Sequence, residues 1–407
     1  MKFAHFSDVH IGSWREPRLH NTSTEVFAKA VDFCIQQQVD FVLIAGDLFN
    51  TSLPPIDKLK AVVGKLKELE MRSIPVYIIA GSHDFSPSGK TMLEVLEEAG
   101  LVINVVKGTV QDNRLRLNFT IDKKTGVKIT GMIGKKGMLE RSYYEALDNE
   151  HLEKEQGYKI FMFHTAISEL KPKELEMMDS TPLSLLPKGF DYYAGGHVHI
   201  IQQKVLDGHG TITYPGALFP ANFRELEQFH HGGLYLIEDG KVAWHPIALH
   251  AVHVIKLDCD GKTPQEAEHA LLQEIGGRDY ANTIVTIRLS GCLRQGRVSD
   301  INFKDIVQKL YDLNAYVVLK NTNALTTKEF EAIHADAKSA EDIEFKLIRE
   351  HLGQMPLEGM TPDREEAFAH ALMKVLGIEK DEGERNADFE NRLRADAERI
   401  LAGEKLM

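Results

Sequence analysis

Apolar residues recur along the first hundred positions with two alternating periods. Phe3–Phe6, Asp40–Ala45 and Pro75–Ala80 are apolar runs of strand length, and each stops in a polar loop: Ser-Asp-Val-His, Gly-Asp and Gly-Ser-His-Asp. Between the first two, Phe27, Ala30, Val31 and Cys34 share one face at helical spacing, and Thr22 with Glu25 has the form of a capping box. A second helix is predicted from Pro54-Pro55, with Ile56, Leu59, Val63 and Leu66 as its stripe. A third follows Gly89, carries Met92, Leu93 and Leu96, and stops at Gly100. Strand and helix in this order imply parallel strands joined by right-handed crossovers. From about residue 102 to 246 the pattern is mostly strand: Leu101–Val106, Val127–Ile133, Lys159–Phe163, Phe190–Ala194, Thr211–Tyr214, Gly233–Ile237 and Lys241–His245. The expected architecture is α/β, two packed β-sheets flanked by helices. Residues 252–320 then give a small β-α-β-α-β pattern whose first helix starts at Thr263-Pro264 with Glu266 and ends at Gly276-Gly277. Residues 335–407 read as three charged amphipathic helices separated by Gly353–Pro362 and Gly377–Gly383. The domains expected are thus 1–248, a small α+β unit over 249–330, and a helical tail over 331–407.

Composition narrows the class. The chain has 407 residues, enough for two or three domains, with 43% apolar and 27% charged residues, as in ordinary globular proteins. No apolar run approaches the ~20 residues that span a bilayer, and Asp8 interrupts the N-terminal run before a signal-peptide core could form. Cys34, Cys259 and Cys292 are far apart and form no Cys-x-x-Cys pair, which favours reduced thiols, a cytoplasmic setting and no membrane association. The net charge is −12, but residues 331–407 hold 19 acidic and 11 basic side chains while the first 330 hold 41 and 37. The body is nearly neutral and the tail acidic. Without a global basic footprint, binding to nucleic acid must rest on local basic loops, bound metal ions or a partner chain.

The candidate chemistry lies where apolar strands run into polar loops: Asp8-Val9-His10, Gly46-Asp47, Gly81-Ser82-His83-Asp84, His164, and Gly195-Gly196-His197-Val198-His199. In open α/β sheets ligand sites form beyond the carboxyl ends of strands, where these segments can converge. Asp8 and His10, like His197 and His199, are two residues apart and in extended backbone point the same way. Carboxylates and imidazoles without thiolate suit Mn²⁺, Fe or Zn²⁺. Asp8, His10, Asp47, His164, His197 and His199 offer more donors than one open catalytic ion needs, whereas two ions ~3.5–4 Å apart use them naturally. Asp47 is the best bridge, since a carboxylate has two oxygens and an imidazole cannot serve two cations. Singly each piece is weak: Asp-x-His is common, and Gly-Asp after a strand is more often a turn. His209, His230 and His231 carry no assigned role. The conjunction, in order and each at a strand end, is the signal.

This series resembles the calcineurin-like dinuclear metallophosphoesterases. Within them, Phe41–Phe49, the segment Gly81–Leu96 and Tyr214-Pro215-Gly216-Ala217 resemble the DNA double-strand-break repair nuclease family called meiotic recombination eleven, with its SbcD-like bacterial exonucleases. The likeness covers roughly residues 1–246. It implies two Mn²⁺ per chain, one held by Asp8, His10, Asp47 and His199, the other by Asp47, Ser82, His164 and His197, with His83 as the catalytic histidine. Two departures stand out: the family usually has Asn where Ser82 stands, and many relatives carry histidine where Asn50 stands. The resemblance further implies that 249–330 is a capping domain and that the tail binds an SbcC-type coiled-coil ATPase. It also implies that the helices over 55–70 and 90–99 form a homodimer interface.

On this reading the protein is an Mn-dependent DNA nuclease, exo- or endonucleolytic, of a double-strand-break repair complex. Arg15, Arg18, Lys90, Lys135, Lys136, Arg141 and Arg224 are the candidate phosphate contacts, each individually no more than surface charge. Gly89-Lys90-Thr91 has the end of a Walker phosphate loop, but Asp84 stands where that loop needs glycine. In the tail, Phe368, Ala371, Leu372, Val375 and Leu376 form an apolar face after Thr361-Pro362, which either docks a partner or packs back on its own chain. The rival functions are a phosphoesterase acting on small phosphoesters and a largely non-catalytic DNA-end scaffold with a decayed second site at Ser82.

Overall fold

The strands of the first unit line up by the parallel pairing that the βαβ order requires. In this computed structural model residues 1–86, 91–135, 139–327, 361–378 and 386–402 are described. They divide into two compact units, Met1–Val252 and His253–Met407. The chain runs β1 (Lys2–Phe6), α1 (Thr22–Gln36), β2 (Phe41–Ala45), α2 (Ile56–Glu70), β3 (Val76–Ile79), α3 (Met92–Glu98) and β4 (Ile103–Asn104). It continues through β5 (Gly108–Gln111), β6 (Arg114–Leu117), β7 (Thr120–Ile121), β8 (Lys128–Gly131), α4 (Arg141–Glu145), α5 (Asn149–Lys154) and β9 (Lys159–His164). The first unit closes with β10 (Tyr192–Gly196), β11 (Ile201–Leu206), β12 (His209–Pro215), α6 (Phe223–Phe229), β13 (Gly233–Glu238) and β14 (Lys241–Pro246).

Two six-stranded sheets result, ordered β14-β13-β1-β2-β3-β4 and β11-β12-β10-β9-β8-β7. In the first, β1 to β4 are parallel and β13 and β14 antiparallel; in the second, β12, β10, β9 and β8 are parallel and β11 and β7 antiparallel. The mixed α/β architecture with sheets flanked by helices is the one the sequence predicts. Facing sides of the two sheets share one core: Phe3 stacks on Phe41 with ring centroids 4.8 Å apart and meets Tyr192 edge-on at 5.3 Å. On the outer side of the first sheet, Phe6 packs against Phe27 of α1. The strands are therefore buried on both faces, which is why they read as unbroken apolar runs.

Several local expectations are corrected. The residue before α1 is Asn21, which makes no side-chain cap and instead accepts from the Lys58 ammonium; Thr22 already lies in the helix. The buried face of α2 is Lys58, Val62, Leu66 and Leu69, while Ile56 is 83% exposed. The stretch expected as a strand over Leu101–Val106 contributes only the two residues of β4. The β5–β6 hairpin, whose turn residues Asp112 and Asn113 have φ of 48° and 60°, and the edge strand β11 were not in the apolar pattern because their faces are polar or exposed.

The second unit holds β15 (Ala251–Asp258), α7 (Pro264–Ile275), β16 (Thr283–Leu293), α8 (Phe303–Asp312) and β17 (Val317–Thr327), a three-stranded sheet ordered β15-β16-β17. Thr263 and Glu266 form the reciprocal capping box at α7 that their spacing predicts. Ala267, Leu271 and Ile275 of α7 join Ile306 and Leu310 of α8 over Val285, Ile287 and Leu289. Within the same unit, α9 (Pro362–Leu376) and α10 (Asn386–Leu401) pack on each other. The tail helix expected before residue 353 lies outside the described residues. Among the described residues no helix is long and apolar enough to cross a membrane.

Candidate metal centre

Three loops from the first sheet and two strand ends from the second meet at one rim. The loops after β1 and β2 run side by side: Asp8 N donates to Gly46 O at 3.1 Å, His10 N to Asp47 O at 3.0 Å and Ile11 N to Leu48 O at 3.1 Å. This ladder does not leave Asp8 and His10 in extended backbone, as their spacing suggested. Asp8, His10, Asp47 and His197 have φ of 51°, 46°, 53° and 84°. Left-handed backbone at four non-glycine residues carries strain, which folds retain where side chains must be aimed. Gly46, with φ of 88°, shows why no side chain is tolerated there: a Cβ would stand 2.2 Å from His164 Nδ1. At Gly81 a Cβ would stand 2.2 Å from Asp47 Oδ1.

The resulting cluster is dense. His164 Nε2 lies 3.1 Å from Asp47 Oδ2 and 3.9 Å from Asp8 Oδ1. His10 Nε2 lies 3.7 Å from Asp47 Oδ2, 3.9 Å from Asp8 Oδ1 and 3.1 Å from His199 Nε2. His199 Nε2 is 3.5 Å from Asp8 Oδ1. Three overlapping ligand groups follow: Asp8, His10 and His199; His10, Asp47 and His83; Asp8, Asp47 and His164. Two expected ligands stand beside these groups. Ser82 Oγ is 3.5 Å from Asp47 Oδ2, and the His197 ring meets the His164 ring edge-on at 5.2 Å. His83 donates its backbone N–H to Asp47 Oδ1 at 2.7 Å and Nδ1–H to Asn50 O at 2.9 Å.

Electrostatics separate the members. Burial alone would raise the carboxyls, but hydrogen bonding and charge from His199, then His164, hold Asp8 down to about 2. His164 and His10 hold Asp47 far below the ordinary carboxylate range against the same burial. Conversely, burial would lower His164 and His199, yet Asp47 raises the first to about 9, and Asp8 with Glu225 raise the second to about 10. Burial, helped by neighbouring histidines, lowers His10 and His197 to about 4. Two buried carboxylates thus demand nearby positive charge. The donor set, carboxylate and imidazole without thiolate, fits divalent cations.

Three supporting residues were not among the expected site. Glu225 accepts from His199 Nδ1–H at 2.9 Å and turns Nε2 toward the cluster. Ser7 donates to Asp8 Oδ2 at 2.5 Å. Asp84, buried, accepts from the backbone N–H of Leu48, Phe49 and Gly81 at 3.1, 3.0 and 3.2 Å, tying the loops after β2 and β3 together. Burial and then the charge of Asp47 raise Asp84 to about 7. Asp84 stood in view in Gly-Ser-His-Asp; Glu225 had no local signal, because only the fold brings α6 to His199.

Of the basic candidates, Arg15, Arg18 and Arg224 are exposed, with Arg224 in the first turn of α6. Arg141 pairs with Glu145 at 3.1 Å. The Lys135 ammonium is held 4.4 Å over the Tyr143 ring and 4.9 Å over that of Phe85. Lys90 and Lys136 lie outside the described residues.

Strand-end carboxylates and imidazoles thus gather at the rim of two mixed sheets in groups that could hold metal ions. Residues 1–200 match the family model described as calcineurin-like phosphoesterase, and the chain carries a domain of that family. The chain is also similar to curated proteins named DNA double-strand break repair protein Mre11. That of Archaeoglobus fulgidus is 25% identical over 377 residues, covering 87% of this chain and 82% of the relative. That of Methanococcus maripaludis is 26% identical over 243 residues, 57% of this chain and 61% of the relative. That of Sulfolobus acidocaldarius is 30% identical over 235 residues, 56% and 57%.

Proposed function

We propose that the protein is an Mn²⁺-dependent DNA nuclease of a double-strand-break repair complex, hydrolysing phosphodiester bonds at DNA ends with two cations per chain. The observation that carries this is Asp47, whose Oδ2 is 3.1 Å from His164 Nε2 and 3.7 Å from His10 Nε2, so one carboxylate reaches both halves of the cluster. Asp8, His10, Asp47 and His199 would hold one ion; Asp47, Ser82, His164 and His197 the other. Ser82 would offer a neutral oxygen, directly or through water. Two bound cations neutralise a phosphodiester and bring a water's pKa toward neutrality. The chain's own residues do the rest. His83, fixed through Nδ1 by Asn50 O, turns Nε2 to the departing sugar oxygen and steadies its charge or protonates it. Glu225 fixes the tautomer of His199. Arg15, Arg18 and Arg224 would contact phosphate and position the duplex rather than read sequence.

The names of the relatives and the exposed arginines favour DNA over small phosphoesters. The tail would supply the partner site in this reading: with Val375 buried and α9 packed on α10, Met373 and Leu376, 45% and 55% exposed, are the apolar positions on α9 left to meet an SbcC-type coiled-coil ATPase. Ile56 and Val95, 83% and 52% exposed on α2 and α3, would meet a second copy in a homodimer. The test is cleavage of blunt and nicked duplexes and of a cyclic nucleotide with Mn²⁺, Mg²⁺ or chelator. Mn²⁺-stimulated DNA cleavage abolished by chelator is expected. Preferred turnover of the cyclic nucleotide, or none of either, would overturn it.

A further inference from the structure

The side chains between the two sheets shrink in size toward the metal cluster. At the far end Phe3 of β1 packs edge-on against Tyr192 of β10. Two residues on, His5 faces Tyr192 and Thr213 of β12. Two further on, Ser7 meets Gly196, where a Cβ would stand 3.0 Å from Ser7 Cβ and 2.1 Å from Ala45 O, so the sheets nearly touch there. The middle step is the unusual one. His5 is fully buried, and its Nδ1 lies 3.0 Å from Tyr192 Oη and 3.1 Å from Thr213 Oγ1, with the two hydroxyls 2.6 Å apart. This closed triangle joins one residue of the first sheet to two of the second, in a layer otherwise filled by side chains such as Phe41, Leu43, Ile160 and Met162. The other ring nitrogen, Nε2, completes no hydrogen bond. Burial lowers the imidazole to about 3, so it is neutral near pH 7 and its part is geometric. A buried polar group with one nitrogen unpaired weakens a core, so packing alone does not account for it.

We infer that His5 is a positioning residue: through Tyr192 and Thr213 it fixes the offset of the second sheet against the first, and with it the grip of the strand-end ligands on the second cation. The inference rests on the two-cation reading above. Apolar contact between sheets has no preferred direction, whereas hydrogen bonds hold a distance and an angle. The lever is short: Asp8 follows His5 by three residues and His197 follows Tyr192 by five. Asp8 and His197 are themselves joined across the sheets, the His197 N–H donating to both Asp8 oxygens at 3.0 and 3.1 Å. The two cations depend on the offset unequally. The ion assigned to Asp8, His10, Asp47 and His199 takes one ligand from the second sheet. The ion assigned to Asp47, Ser82, His164 and His197 takes two, and on the first sheet it has only a neutral hydroxyl beside Asp47. Breaking the triangle therefore loosens the second ion before the first.

The test is Mn²⁺ titration of the full chain, followed by calorimetry and by electron paramagnetic resonance, for the parent, His5→Leu, Thr213→Val and His5→Asn. The parent should bind two ions per chain and show a spin-coupled pair. His5→Leu and Thr213→Val should each weaken the second ion by about tenfold or more, the scale on which an outer partner of a metal ligand acts. They should leave the first nearly unchanged and erase the coupled signal. The double variant should be no worse than either single one, because both break one network. His5→Asn, whose amide oxygen can accept from the same hydroxyls, should restore the second ion. A merely structural role would lower the melting temperature of chelator-treated protein and leave both affinities intact. That outcome, in His5→Leu or in the shape-preserving Thr213→Val should the first fail to fold, would overturn the positioning role while the two-cation reading stands. A parent that binds a single ion would remove that reading, and the role with it.

Discussion

Asp47 sits 2% exposed among His10, His164 and the backbone N–H of His83, and those neighbours keep it ionised where burial alone would not. Asp47→Asn should therefore lose both cations, read as metal content per chain after dialysis; retention of a full complement would contradict the bridging role. His83→Ala should keep the metal and slow cleavage by about 10²–10⁴, the usual share of a general acid; cleavage at the parent rate would exclude it. The pH behaviour follows from signs. In chelator-treated protein His164 and His199, raised to about 9 and 10, stabilise fully below their unfolded pKa of about 6.5 and lose that contribution as pH rises through those values. Asp8, lowered to about 2, stabilises above about 3.9 and loses its contribution as pH falls toward 2. His10 and His197, lowered to about 4, act oppositely and lose stability as pH falls from about 6.5 toward 4, so melting temperature without metal should peak at about pH 6.5 and fall on either side. Because bound imidazoles must be neutral, Mn²⁺ binding should release protons and tighten as pH rises, which calorimetry in buffers of different ionisation enthalpy measures. Asp8, His10, Asp47, His83 and the later histidines were legible because each follows an apolar strand. Glu225 was not, since its partner is 26 residues away in sequence and meets it only through folding.

Among elements, the strands buried on both faces declared themselves, and of the exposed ones β14 was legible while β5, β6 and β11 were not. β1, β2 and β9 are covered on both faces and so form unbroken apolar runs, whereas β11 alternates polar residues at an edge and β4 spans two residues. Helix α2 misled because Ile56, apolar and at the right spacing, faces outward while Lys58 turns inward to Asn21. The strand-to-loop transitions that build the centre depend on backbone that spacing does not reveal, the left-handed residues Asp8, His10, Asp47 and His197. Gly46→Ala probes this scale: left-handed backbone alone costs about 1–2 kcal/mol, and its Cβ would collide with His164. The variant should melt lower and bind Mn²⁺ poorly, and unchanged metal affinity would show that the β2 loop has more freedom than its packing implies.

For the molecule as a whole, the acidic tail and the nearly neutral body follow directly from the distribution of charge, and the small β-α-β-α-β unit from its capping signals. Truncation near residue 335 should preserve nuclease activity and abolish co-purification with a coiled-coil ATPase; retained co-purification would refute the docking role of α9 and α10. The account as a whole stands on two neighbouring cations sharing Asp47. Anomalous scattering from crystals grown with Mn²⁺ tests it most directly. Two peaks about 3.5–4 Å apart, each in contact with one oxygen of Asp47, are predicted; a single peak, or a pair that Asp47 does not join, would contradict it.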